Sequence, residues 1–226
     1  MLKTIVISLG GSMLVPDQIN ISYLKKFREF IKKNNSKYKF YLVTGGGQTC
    51  RTYQAAAKNC CQVSSDDLDW IGIRSTRLNA ELLRSVLGDL AAEEIFLSPE
   101  NLLKSKRNVF VGGGWQPGNS TDFIAVYLAV KIKADTVINL SNIDYIYDRD
   151  PHRDPGVAKP IKQIDWSGLR KLIGNKWVPG SHRPFDQKAC RLAEQKKIRV
   201  VFLNGAKLNN LDNFINNQKF KGTEIV

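Results

Sequence analysis

The stretch VTGGGQTCR, residues 43–51, joins a short apolar run to a segment with helical periodicity. Glycine loses more backbone freedom on folding than any other residue, so three glycines in succession are costly. Two interpretations account for them: a tight turn that only glycine can make, or a phosphate of another molecule lying against bare backbone. An apolar run, a turn and a helix in this order predict the repeating unit of an α/β fold.

The same alternation recurs along the chain. Apolar runs predict strands at residues 4–9, 39–43, 94–97, 108–112, 136–140 and 199–203. Helical periodicity is found between them, at residues 22–33, 49–60, 68–86, 121–132 and 185–196. The strand runs are continuously apolar, as in strands that are covered on both faces. We therefore predict an α/β fold with a mostly parallel central sheet and helices on both sides.

The chain has 226 residues, enough for one large domain or two small ones. The Pro- and Gly-punctuated segment 149–160 is the best candidate for a boundary between two halves. No apolar run is long enough to span a membrane, and the first one is too short for a signal peptide. The four cysteines have neither metal-ligand nor disulfide spacing. These features predict a soluble, reduced, cytoplasmic protein without a membrane partner.

The formal net charge of +13 is unevenly distributed, with +8 in residues 1–60, −4 in residues 61–151 and +9 in residues 152–226. The basic residues are dispersed among helix-like segments, without a basic block or an RNA-recognition motif. We therefore favour solvated helix faces plus a local site for a polyanion, and expect no specific nucleic-acid partner. A nucleic-acid groove remains the alternative.

Ligands of open α/β sheets bind outside the carboxyl ends of the strands. The residues that follow four of the predicted strands are GGS at 10–12, GGG at 45–47, GGGWQPGNSTD at 112–122 and SNID at 141–144. Successive glycines let backbone N–H groups point at one anion, and a helix N-terminus adds its positive dipole end. None of these turns is a P-loop or a dinucleotide fingerprint. Several separate glycine loops predict several phosphates on two molecules, and hence phosphoryl transfer.

The segments ISLGGS, VTGGGQTCR, DWIGIRSTRLNA, VGGGWQPGNSTD and NLSNIDYIYDRDP resemble, in order and spacing, the amino-acid kinase family. They most resemble its archaeal-type uridylate (UMP) kinases, over almost the whole chain to the terminal GTEIV, and residues 113–122 are the most specific piece. The resemblance implies one domain over residues 1–226, folded as a three-layer α/β/α sandwich with a mostly parallel central sheet. Its acceptor-binding half would span about residues 1–135 and its nucleotide-binding half about residues 136–226.

The resemblance also implies partners and roles by position. ATP would be the donor with Mg²⁺ carried on it, UMP the acceptor, and the assembly a homo-oligomer, usually a hexamer. The implied ATP-binding residues are Gly10, Gly11, Ser12, Gly47, Arg51, Ser141, Asn142, Tyr147 and Asp150. The implied UMP-binding residues are Gly46, Asp69, Trp115, Gln116, Pro117, Gly118, Asn119, Ser120 and Thr121. Gly11, Gly47 and Arg51 would be catalytic, and no side chain is assigned to a metal.

Other interpretations of single residues stay open. Arg51 is a solvated side chain if it does not face the donor phosphates, and Asp69 favours a helix dipole if it does not hold the ribose. Trp115 is a packing residue unless its loop closes over ligand. Asn142 and Asp144 fit a strand-end Asx turn, and Tyr147 fits an ordinary half-buried aromatic.

Two positions depart from the family pattern. Ser8 stands where many members have a lysine, which shifts the stabilisation of charge to Mg²⁺, Arg51 and backbone N–H groups. Tyr145 stands where glycine is usual, and would be strained if that position needed a positive φ. Arg74 and Arg77 share a helix face and reach either a phosphate or a subunit contact. Residues 174–189 have no assignment.

The leading hypothesis is an enzyme that transfers the γ-phosphoryl group of ATP to UMP to give UDP. One alternative is a kinase of the same family with another acid or phosphate acceptor. Another is a catalytically weakened nucleotide-binding or regulatory protein, which Ser8 and Tyr145 keep open. A nucleic-acid binder is suggested by the charge alone.

Overall fold

The computed structural model describes residues 2–149, 156–173 and 185–226. The helices are α1 Gly11–Leu14, α2 Ile21–Asn34, α3 Gly47–Cys60, α4 Ser65–Leu87, α5 Thr121–Lys131, α6 Trp166–Ile173, α7 Gln187–Lys196 and α8 Leu208–Ile215. The strands are β1 Lys3–Leu9, β2 Tyr38–Thr44, β3 Val109–Gly112, β4 Thr136–Ser141, β5 Ile146–Tyr147, β6 Pro160–Ile161, β7 Gln163–Ile164, β8 Arg199–Asn204 and β9 Thr223–Ile225.

Seven strands form one sheet in the order β3-β2-β1-β4-β8-β9-β7, and β5 pairs with β6 in a separate two-stranded sheet. The five strands from β3 to β8 are parallel to their neighbours, whereas β9 runs antiparallel to β8. The carboxyl ends of five neighbouring strands therefore lie at one edge of the sheet, as the sequence predicts.

Helices cover both faces of the sheet. On one face, Ile7 of β1 lies in a buried cluster with Phe27 of α2. On the other face, Val6 lies in a second cluster with Ile124 of α5. Adjacent strand residues point to opposite faces, so a continuously apolar strand supplies both layers of core. The predicted three-layer α/β/α architecture with a mostly parallel sheet is confirmed.

One predicted strand is wrong. Residues 94–97 form no strand, because this segment and the residues before it touch β3 only at two isolated bridges, Ala91 to Val109 and Phe96 to Gly112. Phe96 is buried in the second core cluster, so its apolar character reflects side-chain packing rather than a backbone ladder. The sequence interpretation also lacked α6 and α8, which have eight residues each and show a short helical period.

The longest described helix, α4, carries many polar and charged side chains along its 23 residues. Among the residues that the structure describes, no helix combines the length and apolarity needed to cross a membrane.

Candidate active site

The glycine turns after β1 and β2 are bonded, backbone to backbone, to the ends of the neighbouring strands β4 and β1. The Gly45 N–H donates to the Leu9 carbonyl at 2.8 Å, and the Gly10 N–H donates to the Leu140 carbonyl at 2.9 Å. A Cβ atom on Gly11 would lie only 2.0 Å from the Gly47 nitrogen. Contact between the two loops is therefore a sufficient reason for a missing side chain at Gly11.

Gly47 has a second reason to be glycine. It begins α3 with φ of +60°, a conformation that residues with a Cβ rarely adopt. Its N-cap, Gly46, has no side chain to cap the helix, so the start of α3 faces the turn after β1 as bare backbone. Both interpretations of the three glycines are therefore compatible with the geometry, because the closely packed loops also place the N-terminus of α3 at the carboxyl edge of the sheet.

Side chains of α4 fix these loops through hydrogen bonds to their backbone. The Asn79 amide donates to the carbonyls of Gly45 and Gly46 at 2.8 and 3.0 Å. The Thr76 hydroxyl accepts a hydrogen bond from the Gly114 N–H at 2.6 Å. Both side chains are buried. The sequence interpretation missed these two anchors, although their polar character within the apolar stripe of a helix is a usable signal.

Arg77 completes this support. Its guanidinium donates to the carbonyls of Gly114 at 2.9 Å and of Leu97 and Trp115 at 3.1 Å each. Burial, with the nearby charge of Arg74, lowers the pKa of Arg77 from its usual value. Arg77 thus fixes the loop after β3, and its donors are directed at carbonyls rather than at a phosphate. Arg74 is exposed and lies 5.8 Å from the ring centre of Trp70.

Asp69 contacts the most family-specific loop directly. Its Oδ2 accepts a hydrogen bond from the Gly118 N–H at 2.7 Å. Asp69 lies in the second turn of α4, whereas Asp66 and Asp67 occupy the first turn, where the helix dipole acts. Asp69 is half-buried and is placed to order the loop. The structure therefore brings together Asp69 and the loop to which the sequence assigned the same ligand.

The other residues of that loop have different exposures. Trp115 is half-buried and packs 5.8 Å from Tyr127, between ring centres, which favours a packing role. The Ser120 hydroxyl accepts a hydrogen bond from the Phe123 N–H at 3.1 Å and so caps α5. Gln116 and Gly118 are exposed, and Pro117, Asn119, Ser120 and Thr121 are half-buried.

A carboxyl group that the sequence interpretation left unassigned lies beside these loops. Asp122 Oδ1 accepts hydrogen bonds from the Ser8 hydroxyl at 2.9 Å and from the Asn139 amide at 2.8 Å. The three side chains come from α5, β1 and β4. Removal from water raises the pKa of Asp122 to about 7, with Asp186 adding repulsion, although the hydrogen bonds from Ser8 and Asn139 oppose the rise. Ser8, which stands where many relatives have a lysine, thus donates a neutral hydrogen bond to this group.

This raised pKa predicts a pH-dependent stability. The unfolded Asp122 loses its proton near its ordinary pKa of 3.8, whereas the folded one keeps it to about 7. Between these two pH values the folded state binds more protons than the unfolded state. The contribution of Asp122 to the free energy of unfolding therefore falls as pH rises from about 4 to 7 and is constant above that. We therefore compare the Tm of Asp122→Asn with that of wild type. We expect the difference, variant minus wild type, to increase by roughly 5 °C from pH 5 to pH 8.

Thermal unfolding across pH, with Asp17→Asn as an exposed control, measures this difference. Parallel Tm curves for wild type and Asp122→Asn would contradict it.

The residues assigned to adenosine lie after β4. The Ser141 hydroxyl accepts a hydrogen bond from the Ile143 N–H at 3.3 Å, and Asn142 is exposed. Tyr147 is half-buried, with its ring centre 6.4 Å from that of Tyr145. Tyr145 is not among the described residues with positive φ, so the suspected strain does not arise. Asp150 lies outside the described residues, as do residues 174–184 of the unassigned segment.

Asp144, in the same loop, has well-defined hydrogen-bond partners. Its carboxylate accepts two hydrogen bonds from the Lys207 ammonium at 2.7 Å each and one from the Asn204 amide at 2.9 Å. The Lys207 hydrogen bond is the largest cause that lowers the pKa of Asp144. Asp144 therefore joins the loop after β4 to the start of α8, which goes beyond a local Asx turn.

Arg51 is exposed in the second turn of α3. Its guanidinium donates to the Gln48 side-chain oxygen at 2.9 Å and to the Pro16 carbonyl at 3.1 Å. These bonds hold the cation beside the segment that follows α1. Gly10, Ser12 and Gly46 are half-buried in the adjoining loops.

The described residues include no group of three or more His, Cys, Asp or Glu side chains arranged to hold a metal ion. All four cysteines are free thiols, and burial raises the pKa of Cys190 to about 12.

The family model for the amino acid kinase family matches residues 3–204. The chain belongs to the amino acid kinase family. Among curated relatives, uridylate kinase of Staphylothermus marinus is 37% identical over 213 residues, covering 93% of each chain. Uridylate kinase of Methanobrevibacter smithii is 32% identical over 228 residues, covering 98% of each. The crystal structure of uridylate kinase from Archaeoglobus fulgidus matches over 100% of both chains, with a TM-score of 0.83 and 30% identity. The family and the archaeal-type resemblance predicted from the motifs are confirmed.

Proposed function

We propose that this amino acid kinase family chain transfers the γ-phosphoryl group of ATP to UMP and releases UDP and ADP. The observation that carries the proposal is the contact between the glycine turns after β1 and β2, next to the end of β4 and to the loop after β3 that Asp69 holds. Relatives named uridylate kinase, similar over nearly their whole length, support UMP as the acceptor.

The chemistry that the chain must supply is mainly positioning and charge stabilisation. An oxygen of the UMP phosphate attacks the γ-phosphorus in line. A phosphate monoester is already largely ionised near neutral pH, so no general base is required. The start of α3, whose N-cap Gly46 carries no side chain, offers a phosphate group backbone N–H donors and a positive dipole end. Asp69 and the loop after β3 orient the acceptor.

The donor set fits a metal that arrives with the nucleotide. Among the described residues no acidic cluster forms a protein cage, and Mg²⁺ typically keeps phosphate oxygens and waters among its ligands. When bound, Mg²⁺ supplies positive charge to the donor phosphates. We also propose a cytoplasmic homo-oligomer, with the acceptor bound mainly by residues 1–135 and the nucleotide mainly by residues 136–226.

A direct assay tests the proposal. UMP with Mg-ATP should release ADP and UDP, and EDTA should stop the reaction. Thermal unfolding with UMP, CMP, acetylglutamate or carbamoyl phosphate, each with and without Mg-ATP, tests the acceptor. A ligand at about 100 times its Kd stabilises the fold by about 2.7 kcal/mol. If UMP neither stabilises the protein nor supports ADP release while another acceptor does both, the proposal fails in favour of that acceptor.

Arg51→Ala should lower kcat about 10- to 100-fold and change the KM for UMP much less, because charge stabilisation that grows in the transition state is expressed in kcat. Arg51→Lys keeps the charge but loses the fork that holds Gln48 and Pro16, so it should be intermediate. Steady-state kinetics of the three proteins measure the effect. An unchanged kcat in Arg51→Ala would limit Arg51 to its contacts with Gln48 and Pro16.

A further inference from the structure

Away from the glycine loops lies an open groove of about 1210 Å³, here called the α2–α8 groove. One wall is α2, and the other is α8 with the flanking residues 206–207 and 219–221. Its base is held by the Lys33 ammonium, 2.8 Å from Asp212 Oδ2, and by the Asn34 amide, 3.0 Å from Asp212 Oδ1. The Tyr38 hydroxyl donates to the Ile215 carbonyl at 2.8 Å. The two walls are therefore fixed relative to each other.

The lining of this groove is strongly basic. Its ionised side chains are Lys25, Lys26, Lys33, Lys207, Lys219 and Lys221, with Glu29 and Asp212 as the acids. Lys33 and Lys207 are paired with Asp212 and Asp144. Within the described part of the chain, the ammonium groups of Lys25, Lys26, Lys219 and Lys221 have no carboxylate partner. Glu29 in the lining and the longer-range attraction between Lys221 and Asp144 compensate these charges only in part. The concave surface therefore keeps a net positive charge, which an anion would neutralise.

Behind the lysines the groove wall is apolar. Phe30 is buried, and the half-buried Phe220 packs edge-on against Phe214 with ring centres 4.9 Å apart. A concave surface of one charge sign with an apolar wall concentrates its electrostatic field. These basic residues are far apart in the sequence because one wall comes from the N-terminal part of the chain and the other from the C-terminal part.

The residue types restrict the ligand. All six cations of the groove are lysines, which bind phosphate as mobile point charges, whereas arginine suits planar carboxylates through its rigid fork. The aromatic side chains that line the groove are the buried Phe30 and the half-buried Phe220, whereas single-stranded nucleic acids stack on several exposed rings in succession. A flexible chain of linked phosphates matches the charge without needing a stacking partner.

We propose that the α2–α8 groove is a second anion site, separate from the catalytic cleft, that binds a chain of linked phosphates. The phosphate chain is either free polyphosphate or part of a nucleoside triphosphate. Lys207 connects the groove to Asp144 and hence to the loop after β4, so an occupant can act on the nucleotide side of the cleft. The proposal does not depend on the identity of the kinase acceptor.

Calorimetric titration of the full chain tests the site, with the cleft first filled by UMP and a non-hydrolysable ATP analogue. Inorganic tripolyphosphate should still bind saturably. The double variants K219Q/K221Q and K25Q/K26Q, one on each wall, should each weaken that binding about 10-fold or more, because hydrogen bonds to charged groups are lost. The matched control K104Q/K106Q removes the same charge from an exposed segment before β3 and should bind as wild type does.

GTP and UTP in place of tripolyphosphate separate the two sources. Equal affinity indicates recognition of the phosphates alone, and tighter binding of a triphosphate indicates that a nucleotide occupies the groove; both support the site. Kinase activity without added polyphosphate should be unchanged in K219Q/K221Q. Absence of saturable binding, or binding that neither pair of variants weakens, would overturn the proposal. Tighter binding of a short single-stranded oligonucleotide through the same lysines would overturn it in favour of a nucleic-acid surface.

Discussion

Gly11→Ala is expected to reduce kcat/KM for phosphoryl transfer by at least about 100-fold, because a displacement of about 1 Å at a catalytic loop has effects of that size. The new Cβ would lie 2.0 Å from the Gly47 nitrogen and 2.6 Å from its Cα, so the turns after β1 and β2 would have to separate. Both obstacles are backbone atoms and have no rotamer by which to yield. We also expect the Tm to fall by roughly 5 °C from overpacking.

Gly72→Ala is the matched control. It lies within α4, and its new Cβ would meet only the Gln54 and Cys50 side chains, at ordinary distances of 3.4 and 3.5 Å. Its stability should be equal or higher by up to about 1 kcal/mol, since alanine favours helix. Steady-state kinetics and thermal unfolding of both variants measure the contrast. A fully active Gly11→Ala enzyme would show that the two turns do not need to touch.

Asp69→Ala should impair UMP use and remove most of the preference for UMP over dUMP. A hydrogen bond to a charged group contributes about 1.5–3 kcal/mol, so the wild-type preference should be roughly 10- to 150-fold in kcat/KM. Because Asp69 also accepts a hydrogen bond from the Gly118 N–H at 2.7 Å, its removal should loosen the loop and weaken the binding of UMP as well as of dUMP. Asp69→Asn should be milder, since its amide oxygen still accepts hydrogen bonds.

The measurement is kcat/KM for UMP and dUMP in the three proteins. The ratio of the two substrates isolates the contact with the ribose, whereas a loosened loop lowers both values together. If Asp69→Ala keeps the wild-type ratio, Asp69 serves the loop alone and the ribose is held elsewhere, with residues 113–121 as the next candidates.

The fold was largely predictable because each continuously apolar strand supplies core on both faces. Val6 and Ile7 illustrate this, since adjacent residues of β1 enter different clusters. The strand predicted at residues 94–97 was wrong for the same reason. An apolar run indicates only that its side chains are buried, and Phe96 is buried without forming a strand ladder. The positions of the glycine turns followed from parallel strand order alone.

The side chains that support the site were less predictable. Asn79 and Thr76 lie within a long helix, and nothing local in the sequence shows that their partners are carbonyl and amide groups of distant turns. Asp122 was part of a recognised motif, but its raised pKa results from burial and from the nearby Asp186, against the hydrogen bonds of Ser8 and Asn139, and all of these are supplied by other elements of the fold. Such environments arise only from tertiary packing.

The order of strands in the sheet also has a kinetic consequence. The central strand β1 pairs on one side with β2, which follows soon along the chain, and on the other with β4, where Val6 meets Val137. Closing the long loop between β1 and β4 costs chain entropy before any contact repays it, and such non-local parallel pairing is slow. Until β4 pairs with it, the β4 side of β1 is an open strand edge with apolar residues on both faces. We expect refolding yield to fall as protein concentration rises, because that edge is open to pairing with another chain.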